Sequence, residues 1–218
     1  MIAGKSLVQR VYERAKQAKL LQRLLIATDD KRIYTASQGF GAEVCMTSPH
    51  HQTGTERVAE VAKKLETSMI INIQGDEPLL QGYMIDSLIQ ALQDESVPMA
   101  TLAAKITNLD LLQDKDIVKV VWDKKEYALY FSRSPLPFQS TDYFWQHIGI
   151  YGYQKEFLLK FQGLPVSWLE RSEKLEQLRA LENGYKIKII KTTSATLSVD
   201  TPEDIIKVEK FIEKDAHE

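Results

Sequence analysis

Cysteine is almost missing: one residue, Cys45, in 218. No intramolecular disulfide can form, which fits a reducing cytoplasm. Cys45 sits in the apolar run Ala42-Glu43-Val44-Cys45-Met46 and reads as a buried strand residue rather than a nucleophile. No apolar run approaches the ~20 residues of a membrane span, and the first residues lack the core of a signal peptide. The four histidines, at 50, 51, 147 and 217, have no zinc-like spacing with cysteine. A formal charge of -2 provides no basic field for nucleic acid, so an anionic substrate must be met by local cations. No low-complexity linker and no internal repeat divide the chain. A single domain over residues 1–218 is expected, and 44% hydrophobic with 27% charged residues is ordinary globular composition.

The order of elements is more informative. Leu7, Val8, Val11, Tyr12, Ala15 and Ala18 recur at helical spacing, and Leu24–Thr28 then reads as a short strand. A helix from Asp29-Asp30 to about Gln38 stops at Gly39 and Gly41. Strands at Ala42–Thr47, Ser68–Ile73 and Pro98–Ile106 alternate with helices at Thr55–Leu65 and Met84–Leu92. This alternation predicts an α/β, Rossmann-like fold: a mostly parallel sheet with helices on both faces. The middle differs. Ile117–Trp122 and Tyr127–Ser132 read as a hairpin and Trp145–Tyr153 as an aromatic-rich strand, so an antiparallel segment is inserted at about 117–153. A helix near Gln154–Phe161, a charged helix near Ser172–Glu182, a strand at Tyr185–Ile190 and a final helix at Pro202–Glu213 complete the pattern.

Two runs carry the chemistry: Asn72-Ile73-Gln74-Gly75-Asp76-Glu77-Pro78 and Ser198-Val199-Asp200-Thr201-Pro202-Glu203-Asp204. Each follows a β-branched stretch, Ser68–Ile73 or Ala195–Val199, and puts an aspartate where a strand should end. Ligands of open α/β sheets collect at such carboxyl ends. Asp76 and Asp200 together form a hard oxygen site suited to Mg²⁺ and the phosphates it carries. Gly75 is expected at positive φ just after the strand. An ordinary βα turn would also account for the first run. Thr201 and Asp204 have capping-box spacing with Pro202 at the first helical position, which leaves Asp200 as the functional candidate there. Thr53-Gly54-Thr55 with Arg57 offers N–H groups and a cation at a helix start; Thr55 could equally be an N-cap.

Over nearly its whole length the chain resembles the 3-deoxy-manno-octulosonate cytidylyltransferases, or CMP-Kdo synthetases. The resemblance is carried, in order, by Ile26-Ala27-Thr28-Asp29; His51-Gln52-Thr53-Gly54-Thr55-Glu56-Arg57; Asn72–Pro78; and Ala128-Leu129-Tyr130-Phe131-Ser132-Arg133. It continues through His147-Ile148-Gly149-Ile150-Tyr151-Gly152-Tyr153; Leu175-Glu176-Gln177-Leu178-Arg179; and Val199–Asp204. The resemblance implies a nucleotidyltransferase of lipopolysaccharide biosynthesis. In it, the anomeric hydroxyl of Kdo attacks the α-phosphate of CTP with Mg²⁺ assistance, giving CMP-Kdo and pyrophosphate. It assigns the metal to Asp76 and Asp200, the nucleotide to Gly54, Thr55, Arg57 and Gln74, and the sugar to Arg133, His147, Tyr151, Glu176 and Gln177, with Gln74 able to contact either ligand. Arg133 would meet the sugar carboxylate in bidentate geometry. It also implies a homodimer built on the aromatic insert.

Members of that family begin with a strand and a glycine- and arginine-containing loop that cradles the triphosphate, and Met1–Leu7 matches the segment after it. Gly4-Lys5-Ser6 does not replace that loop, since the Walker spacing and preceding strand are absent. These 218 residues alone are therefore expected to bind CTP weakly. Two readings compete with the active synthetase: a related acylneuraminate cytidylyltransferase, and a catalytically silent binding protein that keeps the sugar and metal ends.

Overall fold

The computed structural model describes residues 1–199 and 201–215. Asp200 lies outside the described residues. The chain separates into two compact units that interleave along the sequence.

The first unit takes residues 1–64, 73–86 and the described residues from Thr196 on. Its helix α1 (Leu7–Ala15) starts at Ser6, whose hydroxyl accepts from the Gln9 amide, and buries Val11 and Ala15. Strands β1 (Leu25–Thr28) and β2 (Glu43–Met46) pair in parallel, Leu25 opposite Glu43 and Thr28 opposite Met46. Between them runs α2 (Lys31–Gly39), capped by Asp30 through the Arg32 amide at 2.7 Å. Helix α3 (Gly54–Ala62) follows β2 and packs Ala59 and Ala62 inward. Ile2, Leu79 and Val208 form a small core with Leu7, Leu197 and Ile205 against it.

The second unit, residues 65–72 and 87–195, holds the larger sheet. Helix α4 (Gly82–Leu92) carries the chain into it. The central strand is β7 (Phe144–Gln154), with β4 (Met99–Ile106) antiparallel on one side. Strand β5 (Lys119–Trp122) pairs with β7 only through Lys119 and forms a hairpin with β6 (Ala128–Ser132). Strand β3 (Met69–Asn72) lies antiparallel on the last four residues of β7, and β8 (Ile187–Thr192) is parallel to β4. Strands β3, β4 and β8 therefore all run one way. The inserted strand β7 runs against them, so direct parallel pairing survives only at β4–β8 in this sheet. Gly152 lets β7 pass under α4: a Cβ there would sit 2.8 Å from Leu92 Cδ1 and 3.2 Å from Ile71 Cδ1.

Three local expectations change. The charged helix near 172–182 is two helices, α6 (Trp168–Glu173) and α7 (Leu178–Glu182). The Ser167–Glu170 capping box starts α6 early, and Lys174 at φ 56° ends it in left-handed backbone. Short α5 (Lys155–Phe161) precedes them and α8 (Pro202–Asp215) ends the described chain. Residues 195–199 form no strand: β8 stops at Thr192, and Val199 N–H donates to Asp76 O at 2.9 Å without forming a ladder. Gly75 does not have positive φ, and a Cβ there would meet nothing. The turn after β3 therefore does not need glycine for a left-handed backbone at position 75.

Candidate active site

The nucleotide candidates gather in the first unit around the start of α3. Thr53, not Thr55, is the cap: its hydroxyl accepts from the Glu56 amide at 3.2 Å, and Thr55 is buried behind it. Gly54 is thereby the first helical residue, with its free N–H at the positive end of the helix. Helix α3 also grips the loop before it. Glu60 Oε2 accepts from the Ser48 amide at 2.9 Å and pairs with His51 Nε2 at 2.6 Å, while Glu56 Oε2 takes the Gln52 amide at 2.8 Å. The Ser48 N–H, and then the His51 ring, hold the Glu60 carboxyl down at about 2.

Arg57 is engaged locally. Its Nη1 donates to Thr47 Oγ1 at 2.5 Å and its Nη2 lies 3.2 Å from Asp29 Oδ2, tying the ends of β1 and β2 to α3. The cation expected for an anion thus serves here as a strut. Gln74 packs directly on Gly54: a Cβ added to Gly54 would fall 3.1 Å from Gln74 Oε1 and 3.3 Å from Nε2. Gly54→Ala should therefore displace the Gln74 amide and raise the KM for CTP several-fold, by about 1 kcal/mol of lost binding. Steady-state kinetics with CTP as varied substrate check this; an unchanged KM would remove Gln74 and Gly54 from the nucleotide site.

Asp76 stands in the turn after β3, half-buried, with its Oδ1 fully enclosed. Its own carbonyl receives the Val199 N–H, so the chain next to Asp200 is fastened to the Asp76 turn across 123 positions of sequence. Among the described residues no three His, Cys, Asp or Glu side chains cluster as a metal cage. Mg²⁺ does not need one, since it is held by one or two carboxylates completed by phosphate and water. The donor chemistry of Asp76 fits that ion.

The sugar candidates lie in the second unit. His147 Nε2 is 3.0 Å from Thr101 Oγ1, and that hydroxyl is 3.1 Å and 2.9 Å from the carbonyls of Ile148 and Ile150. A hydroxyl has one proton, which goes to a carbonyl, so Nε2 must carry the hydrogen donated to Thr101. Thr101 sits where β4 slips register against β7, and the slip frees those carbonyls for it. His147 also stacks on Tyr151 at 5.4 Å and meets the edge of Phe131 at 5.0 Å. Burial pushes its pKa down to about 3. Burial, and the charge of Glu176, push the Tyr151 phenol far up, so it is a neutral donor.

The His147 shift has a sign. The unfolded histidine takes a proton below its ordinary 6.5, whereas the folded one resists until about 3. Unfolding then binds the proton, so stability falls progressively as pH drops between those values. Urea titrations at pH 7 and pH 5 should show a smaller acid loss for His147→Gln than for the wild type. An equal loss would show that His147 is charged in the native state.

Glu176 and Gln177 occupy the turn between α6 and α7, which the helix break creates. Gln177 is 3% exposed, and its Nε2 has no hydrogen-bond partner. The turn is clamped by Arg179, which donates from Nε to Glu170 Oε2 at 2.7 Å, makes a second bond from Nη2 to Oε1, and lies 3.8 Å from Glu176. Arg133 is brought beside this group but spends Nε on the Glu173 carbonyl at 3.1 Å and Nη1 on the Lys115 carbonyl at 2.9 Å. Neighbouring Lys119 is fully buried, its ammonium donating to the carbonyls of Asp114, Ile117 and Arg133 at 2.7–2.8 Å. Desolvation lowers its pKa, and its three donors are all used.

Sequence reading missed Glu60, Glu170 and Glu173. Glu60 lies one helical turn past Glu56 on the face that meets the loop, a spacing of four that could have been read. Glu170 stands three residues after Ser167, the capping-box signature. Glu173, which takes Ser132 Oγ at 2.9 Å and the Arg133 amide at 3.0 Å, had no local signal.

A parallel strand pair, a mixed α/β sheet and a carboxylate in the turn after a strand define an α/β protein with a ligand site at its strand ends. The profile of the cytidylyltransferase family matches residues 1–189. The 3-deoxy-manno-octulosonate cytidylyltransferase of Syntrophotalea carbinolica is 48% identical, the match covering 97% of this chain and 90% of that protein. The protein of the same name from Solibacter usitatus is 50% identical over 96% of this chain and 85% of its own. The solved structure of a CMP:2-keto-3-deoxy-manno-octonic acid synthetase complexed with CTP superposes with a TM-score of 0.93 at 38% identity, covering 99% of this chain and 90% of that one. The chain belongs to the cytidylyltransferase family and, within it, to the 3-deoxy-manno-octulosonate cytidylyltransferases.

Proposed function

We propose that this chain joins CTP to 3-deoxy-manno-octulosonate, releasing pyrophosphate and forming CMP-Kdo. The observation that carries the reading is the bond from Val199 N–H to the Asp76 carbonyl, 2.9 Å long, which fastens together the two aspartate-bearing runs. Asp76 and Asp200 would hold Mg²⁺. When bound, that ion supplies charge neutralisation for the phosphates, the main need of phosphoryl-type transfer. The N-terminus of α3, with Gly54, Thr55 and Gln74, takes the nucleotide, and Arg57 fixes the loop that presents it. His147, Tyr151, Glu176 and Gln177 take the sugar; Arg133, with Nε and one Nη1 hydrogen spent on carbonyls, keeps its Nη2 hydrogens for a carboxylate. The reading is tested by mixing the chain with CTP, Kdo and Mg²⁺ and following CMP-Kdo and pyrophosphate. Product from an acylneuraminate instead of Kdo would move the assignment to that activity.

The working form in this reading is a cytoplasmic homodimer. Supporting it, the insert and its surroundings leave Leu129 at 62%, Phe138 at 80% and Trp168 at 65% exposure. Phe131 and Phe144 of the same insert are wholly buried and serve the core. Exposed large apolar groups on the insert support an association surface there. Light scattering at micromolar concentration should give a dimer, and Leu129→Glu should give a folded monomer. A wild-type monomer would remove the dimer.

No helix of the described residues is long and apolar enough to cross a membrane.

A further inference from the structure

The second unit buries two amide side chains whose N–H groups have no partner: Gln177 Nε2 and Asn72 Nδ2. Asn72 is the last residue of β3 and only 2% exposed. Leaving such a donor unsatisfied costs about 1–3 kcal/mol, so a fold keeps it only for a reason. Asn72 stands directly opposite Tyr151 in the antiparallel pair with β7. Residues facing each other across that pair project from the same side of the sheet. The Tyr151 side is the one that stacks on His147 and feels the charge of Glu176. A buried, unpartnered amide thus shares a face with side chains that suit a polyol.

From this geometry we infer that Asn72 is a sugar-binding residue, its amide donating to a hydroxyl oxygen of the polyhydroxylated acid substrate. The inference rests on the sugar reading of His147, Tyr151 and Gln177 and adds a contact to it. Free of ligand, the amide destabilises the fold. With ligand bound it discriminates, because a substrate lacking that hydroxyl leaves it unpaired again.

The opposing signs give the test. Asn72→Leu keeps the shape and removes the orphan donor, so its unfolding midpoint should match or exceed that of the wild type. Its KM for Kdo should rise about tenfold or more, while its KM for CTP changes less than twofold. Asn72→Ser, too short to reach, should reproduce the KM effect if the leucine variant does not fold. An unchanged KM for Kdo in a folded variant would overturn the inference and leave the amide to a buried water. Equal rises for both substrates would overturn it too. If the wild type makes no CMP-Kdo, the substrate reading fails separately. Kdo binding followed by NMR in the presence of CTP then decides for Asn72: weaker binding to the leucine variant keeps it, and no binding to the wild type removes it.

Discussion

Asp76→Asn should lower CMP-Kdo formation by about 10²-fold or more and leave the fold standing. Asparagine has the same shape and still fits the turn after β3, whose attachment to Val199 runs through the backbone carbonyl rather than the side chain. What the substitution removes is one negative charge and, on the proposed Mg²⁺ reading, a hard ligand for that ion. On the same proposal Asp200→Asn should act alike, because a site proposed to use two carboxylates would bind the ion far more weakly with one. Raising Mg²⁺ should recover part of the activity of either variant, since the loss is one of occupancy as well as of geometry. The check is initial rate against Mg²⁺ concentration, with circular dichroism confirming the fold. Near-normal rates in both folded variants would sink the metal assignment.

The frame of this fold was legible because its signals are local. The helix start at Asp29-Asp30 was readable and Asp30 caps α2, whereas the caps Ser6 of α1 and Thr53 of α3 were not read, Thr55 being taken for the latter. Alternation of β and α elements gave the α/β class, and Asp123-Lys124-Lys125-Glu126 gave the β5–β6 hairpin. Strand direction was less readable. An apolar run looks the same whichever way its neighbours point, so only the sheet shows β7 running against β3 and β4.

The site was legible where chemistry demands a residue type and obscure where it depends on another element. Gln74 and Gly54 are close only because the turn after β3 meets the start of α3, which no spacing reveals. Arg57 looked like a free cation, and its pairing with Asp29 needed the fold. Glu176 and Gln177 were expected on one unbroken helix near residues 172–182. The left-handed Lys174 turns them instead into the corner beneath Tyr151. Nothing about a lysine announces φ 56°, since that backbone is imposed by the packing on either side.

That corner is held by one buried ion pair, and breaking it should be the largest stability effect in the chain. Arg179 is 4% exposed, bonded to Glu170 through two nitrogens, and stacked 5.1 Å from the Phe161 ring. Arg179→Met keeps the packing on Phe161 and removes the charge. Glu170 would then be a carboxylate in a poorly hydrated place, with Glu176 nearby and no longer balanced. Removing one partner of a buried pair typically costs about 3–5 kcal/mol, more than the pair itself contributes. The double variant Glu170→Gln with Arg179→Met should recover most of that loss, because no lone charge remains. Its KM for Kdo should nonetheless stay raised, since the clamp that seats Glu176 and Gln177 is gone, while its KM for CTP stays normal. Urea unfolding of the single and double variants, with kinetics on the double, measures both halves. A double variant as unstable as the single would mean that Arg179 acts through packing alone. One with a normal requirement for Kdo would mean that the turn between α6 and α7 holds its shape without the clamp.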